Sequence, residues 1–244
     1  PEWHLRLRFH GAPQRLHRDV LPALEQACEH LLGDDRMWRL QLDTYVREVD
    51  RYGGSAAIVV AEQLFHADSD AVLAIIQALP GDDSAAGTRW RIVLRGMDAL
   101  LSDLGFDLPR RLAVVRIARD DFARELSIGA PLRRQIGAKF ATLRTELEAL
   151  LEADDDAHGP LAAAVPAFDR RSRASESSID ELKQLDQAGR LTTSLDRIAL
   201  SLLHMHANRL LRSDHRAQEA VLLDLLHRLY DRRAARRGAT ASAS

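Results

Sequence analysis

From residue 55 onward the apolar residues of this 244-residue chain recur every three to four positions, with one long interruption over 153–177 and several short ones. That spacing gathers them on one side of a helix, and it predicts helices over 55–79, 88–104, 109–126, 131–152, 178–188, 194–212 and 214–235. A chain so patterned buries its hydrophobic surface mainly by packing helix on helix. The breaks have identifiable causes. Gly53 and Gly54 precede the first helix, and "GFDLP" supplies Gly105 and Pro109 between the second and third. The polar "ADSD" at 67–70 leaves 55–79 readable as one helix or two. "ADDDAHGPLAAAVPAFDRRSRASES", residues 153–177, has the Pro, Ser and charge content of a flexible insertion, and the tail from about 236 reads as frayed.

The front of the chain has a different period. In "WHLRLRF", Trp3, Leu5, Leu7 and Phe9 alternate with His4, Arg6, Arg8 and His10, which is the pattern of a half-buried strand. Residues 17–32 return to helical spacing, with Gly33 as the cap, and "DDRMWRLQLDTYV" alternates again at Trp38, Leu40, Leu42 and Tyr45. The expectation is therefore an α+β fold, one mostly helical domain spanning 1–244 with a small N-terminal β-sheet. Because the sequence begins without Met and runs straight into a strand pattern, that domain is expected to be truncated at its N-terminus.

With 34 basic and 36 acidic residues the formal net charge is -2, so no global charge draws the chain to nucleic acid or an anionic membrane. Only Lys139 and Lys183 are lysines, which gives any single arginine little weight. Cys28 stands alone, excluding an internal disulfide or thiolate metal site. There is no HExxH or CxxC, and no metal is expected. No apolar run approaches the ~20 residues of a membrane span; with no signal peptide pattern either, the cytoplasm is the expected compartment.

Three constellations carry possible chemistry. In "SLLHMHANRLL", Ser201, His204 and Asn208 share one helix side and Arg197 extends the row by a turn; His206 points elsewhere. Taken alone, that row reads first as a solvated face or a core histidine bonded to a carbonyl. On the expected first strand, Arg6 and Arg8 would stand about 7 Å apart on one face, close enough to share an anion. A solvated strand edge guarded by charge is the equal alternative. In "EVDRYGG", Glu48 and Arg51 are three apart and able to pair, a weak signal by itself. The glycine pair lacks the GxGxxG or GxxxxGK context of a phosphate loop, and no GxSxG is present.

Together, "HLRLRF", "YVREVDRYGG" with "AEQLFHADSDAVL", and "SLDRIALSLLHMHANRLL" resemble the thiopeptide-type bacteriocin biosynthesis domain, the C-terminal glutamate-elimination part of class I lantibiotic dehydratases. The resemblance covers residues 3–230. It implies that a partner glutamylation domain, in the same chain or another, transfers glutamate from glutamyl-tRNA to Ser or Thr of a ribosomal precursor peptide. The present domain then expels glutamate to leave dehydroalanine or dehydrobutyrine. The motif positions implied as catalytic are Arg6, Arg8, Glu48, Arg51 and His204; beside them Ser201, Asn208 and Tyr52 are read as substrate contacts, with Ser201 and Asn208 positioning His204 or the peptide backbone. His204 would move the proton, Arg8 would stabilise the enolate or leaving carboxylate, and Arg6 and Arg51 would hold glutamate. Glu48 would orient Arg51 or bind the adduct's ammonium. The domain itself needs no cofactor and is expected to bind no nucleic acid; a homodimer is among the assemblies open to it.

Two other functions remain open at this level. Pyridine synthases of thiopeptide pathways, which join two dehydroalanines, resemble the same domain. A noncatalytic module that recruits precursor peptide would also fit.

Overall fold

The structure, a computed structural model, describes residues 5–81, 86–152, 161–162 and 164–241. The chain divides into two compact units, Pro1–Arg47 and Glu48–Ser244.

In the first unit, α1 (Pro13–Arg15), a π-helical stretch (Leu16–Val20) and α2 (Leu21–Gly33) follow one another without a gap. Pro13 suits the first turn, where its missing N–H has no acceptor to lose. The flanking segments overturn the expected sheet. Among the described residues there is no strand, and the fold is all-helical rather than α+β. Alternation specifies two faces, but a strand exists only if its N–H and C=O groups meet a partner, and a lone two-stranded ribbon is marginal in water. Residues 5–10 and 38–46 make no such ladder here. Their apolar side chains face solvent, with Leu5 84% and Val46 80% exposed.

The second unit contains α3 (Ser55–Ala78), α4 (Ala86–Asp103), α5 (Leu108–Glu125), α6 (Ala130–Glu152), α7 (Ala164–Gln187), α8 (Leu195–Leu210) and α9 (His215–Ala241). α3 runs through "ADSD" unbroken, since Ala57, Ile58, Ala61, Leu64, Ala71, Val72 and Ile75 keep one buried stripe across it. It stops because Leu79 precedes Pro80 and takes an extended conformation. Asp107 caps α5 by accepting from the Arg110 N–H at 2.9 Å, and Ser194 caps α8 by accepting from the Arg197 N–H at 3.3 Å.

α4 lies at the centre, packed on α6, α7, α8 and α9. Its Ile92, Val93, Leu94, Met97 and Leu101 are wholly buried, which is why it is apolar on more than one side. α3 packs along α7, and α5 along α9.

The segment read as an insertion over 153–177 is in part a core element: residues 164–177 are the first half of α7, while 153–160 lie outside the described residues. The core-facing row of α7 is Ala164, Phe168, Arg171, Ser175, Ser178, Leu182 and Leu185, all buried. Three consecutive places in that row are Arg, Ser and Ser, so the hydrophobic period vanishes where the helix is most deeply packed. The tail expected to fray is helical as far as Ala241. No helix among the described residues is long and apolar enough to cross a membrane.

Candidate functional site

The site in the second unit is built where the turn 48–54 meets α8. The turn closes through the Tyr52 N–H on the Glu48 carbonyl at 3.3 Å and the Gly54 N–H on the Val49 carbonyl at 2.9 Å. Gly53 and Gly54 have φ of 87° and 104°, a region L-residues rarely enter. Space requires glycine as well, since a Cβ on Gly53 would stand 2.7 Å from Ile198 Cδ1 of α8. The Gly53 carbonyl then accepts from the Thr192 N–H at 3.1 Å, tying the turn to the lead-in of α8.

That arrangement fixes Arg51 against the polar row of α8. Its Nε donates to Ser201 Oγ at 3.2 Å and its NH1 to Glu48 Oε2 at 3.0 Å. One turn further along, His204 Nδ1 lies 2.8 Å from Glu219 Oε2 of α9, and Asn208 Nδ2 lies 2.9 Å from His204 Nε2. Arg197, the first member of the row, is drawn to Asp121 of α5 at 2.8 Å. The row is neither solvated nor sealed. The His204 side chain keeps 19% of its surface, while that of Glu219 keeps 2%.

Glu48, Arg51, Ser201, His204 and Asn208 are thus brought onto one surface from distant parts of the sequence. Tyr52 is not: it is 2% exposed, packs edge-on to Phe65 at 4.9 Å between ring centroids, and anchors the turn in the core. Arg6 and Arg8 belong to the first unit, both exposed, with the Arg8 guanidinium 5.0 Å from the Tyr45 ring centroid.

Two residues escaped the sequence reading. Glu219 and Arg216 stand on α9, and Arg216 NH1 lies 3.7 Å from Glu219 Oε2. Arg216 is itself held from α5: its Nε donates to Glu125 Oε1 at 3.0 Å, a second contact joins the same carboxylate, and the guanidinium sits 4.2 Å from the Phe122 ring centroid. A signal for Glu219 existed. It shares the helical register of Leu222, Leu223 and Leu226, all buried, so it is an acid in a leucine's place.

The other histidine of α8 is sealed. His206 is fully buried, with Nδ1 2.8 Å from Asp68 Oδ1. Asp68 also accepts from Arg171 at 3.1 Å and Arg209 at 2.8 Å. Arg171, the charged residue in the core row of α7, donates in addition to the Gly96 carbonyl at 3.2 Å. Burial alone would raise the Asp68 carboxyl, but His206, Arg171 and Arg209 hold it well below the ordinary range. Burial pushes His206 below its ordinary value, against the pull of Asp68. No group of three or more potential metal-ligating side chains occurs among the described residues.

Comparison with known proteins decides the family. The lantibiotic biosynthesis dehydratase C-terminal family matches residues 1–230. The chain belongs to that family. It is also 24% identical over 234 residues to the subtilin biosynthesis protein SpaB of Bacillus subtilis, an alignment covering 96% of this chain and 22% of SpaB. The chain therefore spans about one fifth of that relative's length. No solved structure matches it. Membership of this family ties the chain to lantibiotic biosynthesis.

Proposed function

We propose that this chain is the lyase half of a dehydration: it eliminates glutamate from glutamylated Ser or Thr of a precursor peptide, leaving dehydroalanine or dehydrobutyrine. The observation that carries the reading is that a half-buried histidine shares one side of α8 with Ser201, which holds an arginine already aligned by a carboxylate. Elimination of a β-acyloxy group needs a base for the weakly acidic Cα proton, and His204 supplies an imidazole nitrogen on this surface that can take it. The departing glutamate is an anion with a second carboxylate on its side chain, and Arg51 presents a fixed guanidinium to it. Glu48, 3.0 Å from Arg51, serves to orient that guanidinium. Ser201 braces Arg51 at Nε, and Asn208 touches His204 itself. Arg6 and Arg8 act in the same reaction, Arg8 on the enolate or leaving carboxylate and Arg6 on glutamate. Precursor peptide and a glutamylation partner, in the same chain or a separate one, complete the system, and glutamyl-tRNA is used by that partner.

The test is incubation of the protein with a peptide carrying glutamyl-Ser, followed by mass measurement. Release of glutamate with formation of dehydroalanine is expected, and His204→Ala should lower the rate at least about 100-fold. Intact ester after prolonged incubation, alongside macrocycle formation from a multiply dehydrated peptide, would instead identify a pyridine synthase.

A further inference from the structure

A carboxylate in the core of a helical bundle is costly unless it has dedicated partners. Glu219 is such a group, and its partners define what it does. On α9 it occupies the register of Leu222, Leu223 and Leu226, and it is 2% exposed. Its Oε2 reaches His204 Nδ1 at 2.8 Å and Arg216 NH1 at 3.7 Å. Arg216 is clamped from its other side by Glu125 and Phe122 of α5, so it supplies a stationary counter-charge.

We propose that Glu219 is the positioning residue that fixes His204 as the Nδ1–H tautomer, leaving Nε2 without a hydrogen and its lone pair held by the Asn208 amide until proton transfer; the part about proton transfer rests on the elimination reading above. The donor and acceptor inventory requires this assignment. An ionised carboxylate only accepts, so the hydrogen between Glu219 and His204 sits on Nδ1. In neutral imidazole Nε2 is then an acceptor, and the amide of Asn208 is the donor 2.9 Å away. Arg216 NH1 is also within 3.4 Å of Nδ1, but two donors cannot share that position. The shorter Glu219 contact is the hydrogen bond, and the guanidinium is a neighbouring charge.

The sequence of events follows from the same geometry. The Asn208 amide N–H first turns away from Nε2; the Cα–H bond of the glutamylated residue then breaks and its proton goes to the freed Nε2 lone pair. The electron pair forms the Cα=Cβ bond, and the Cβ–O bond breaks with its pair on the departing glutamate carboxylate. The imidazolium now has hydrogens on both nitrogens. Glu219 faces the one on Nδ1, and rotation of the Asn208 amide offers Oδ1 to the one on Nε2. The proton then leaves to water, restoring the starting tautomer.

The test uses the 15N-labelled protein. In the wild type, the His204 ring nitrogens should show the Nδ1–H tautomer, and Glu219→Gln should convert it to a mixture, because a glutamine amide can donate as well as accept. A wild-type His204 in the Nε2–H form overturns the proposal, whether or not the protein eliminates glutamate. With glutamylated peptide, Glu219→Gln should lower kcat at least about tenfold with KM held within about twofold, and Glu219→Asp should recover part of the loss. Wild-type kcat in Glu219→Gln overturns it. A wild type that leaves the ester intact removes the elimination reading instead, and the tautomer measurement then decides the positioning role by itself. That measurement on the wild type needs no variant to fold.

Discussion

Two histidines two residues apart on α8 occupy opposite kinds of environment. His206 is wholly enclosed: its Nδ1 is spent on Asp68, and its Nε2 has no partner and abuts Gly96. His204 is hydrogen-bonded at both nitrogens, yet retains a solvent-facing edge. A step of two residues turns a helix by more than half a circle, so one side chain joins the core of α3, α4 and α7 while the other meets the rim of α9. The difference shows that a histidine and a carboxylate at 2.8 Å are not by themselves a catalytic pair. What distinguishes them is whether the second nitrogen can reach anything. His206 cannot take a proton from a substrate, and its network is there to hold α3, α4, α7 and α8 together.

The largest expected effect lies in that buried network. Asp68→Ala removes the common acceptor of His206, Arg171 and Arg209 and leaves the buried Arg171 guanidinium with the Gly96 carbonyl and a more distant Asp103 at 3.7 Å. Removing one partner of a buried ion pair typically costs about 3–5 kcal/mol. Chemical denaturation should show a loss of that size. A change below about 1 kcal/mol would mean that the cluster adds nothing to the fold.

Next comes Gly96→Ala. In an ordinary mid-helix position, alanine would stabilise α4 by about 0.5–1 kcal/mol. Here its Cβ would stand 2.1 Å from His206 Nε2 and 2.7 Å from Phe168 Cζ. Overpacking of this kind costs about 1–3 kcal/mol, so the melting temperature should fall. A rise would show that His206 has room to move.

The same burial gives the protein a pH dependence. The folded His206 value lies below the ordinary one because of burial, and that of His227 lies below it through burial and the adjacent Arg119. As pH falls through about 6.5, the unfolded chain takes up protons at these sites that the folded chain resists. Stability should therefore decline from pH 7 toward pH 5, by up to about 1.4 kcal/mol per pH unit for each proton so linked. His206→Asn, which keeps a donor toward Asp68, should flatten that slope. An unchanged slope would assign the dependence to His227. Asp68 works in a lower window. Its carboxyl is held below the ordinary range, so the stability it contributes is present above about pH 4 and is lost as pH falls further.

How much of this was legible depended on whether a residue obeyed its local period. α3, α4, α5, α6, α8 and α9 carry apolar stripes long enough to outweigh a buried acid such as Asp68 or Glu219, and the sequence marks each of them. The row Ser201, His204, Asn208 was legible as a row, because helical spacing alone puts those three together. The first half of α7 was not, because Arg171 and Ser175 stand where apolar residues would have signalled a helix, and Ser178 continues the polar row into the part that was read. Their partners Asp68 and Gln63 lie more than one hundred positions away. The expected strands failed for the converse reason. "WHLRLRF" has a strand's period, but no local property of those residues supplies the hydrogen-bonding neighbour that makes a strand.

The smallest stability effect should come from the site itself, and it sharpens the comparison most. His204→Ala removes one hydrogen bond to Glu219 and one to Asn208 at a position that water can reach. Asn208 can turn to solvent, and Glu219 keeps Arg216 at 3.7 Å as a counter-charge. Net hydrogen-bond contributions of about 0.5–1.5 kcal/mol set the scale, so the variant should unfold within about 1–2 kcal/mol of the wild type. His206→Ala leaves Asp68 and two guanidiniums around a dry cavity and should lose several kcal/mol. Denaturation of the two variants side by side, with glutamate release measured on the same preparations, separates the roles. A folded but inactive His204→Ala beside an unstable His206→Ala is the expected pair. Equal losses of stability in both would mean that His204 is a second structural histidine, and the proton-transfer role would have to pass to another group on that surface.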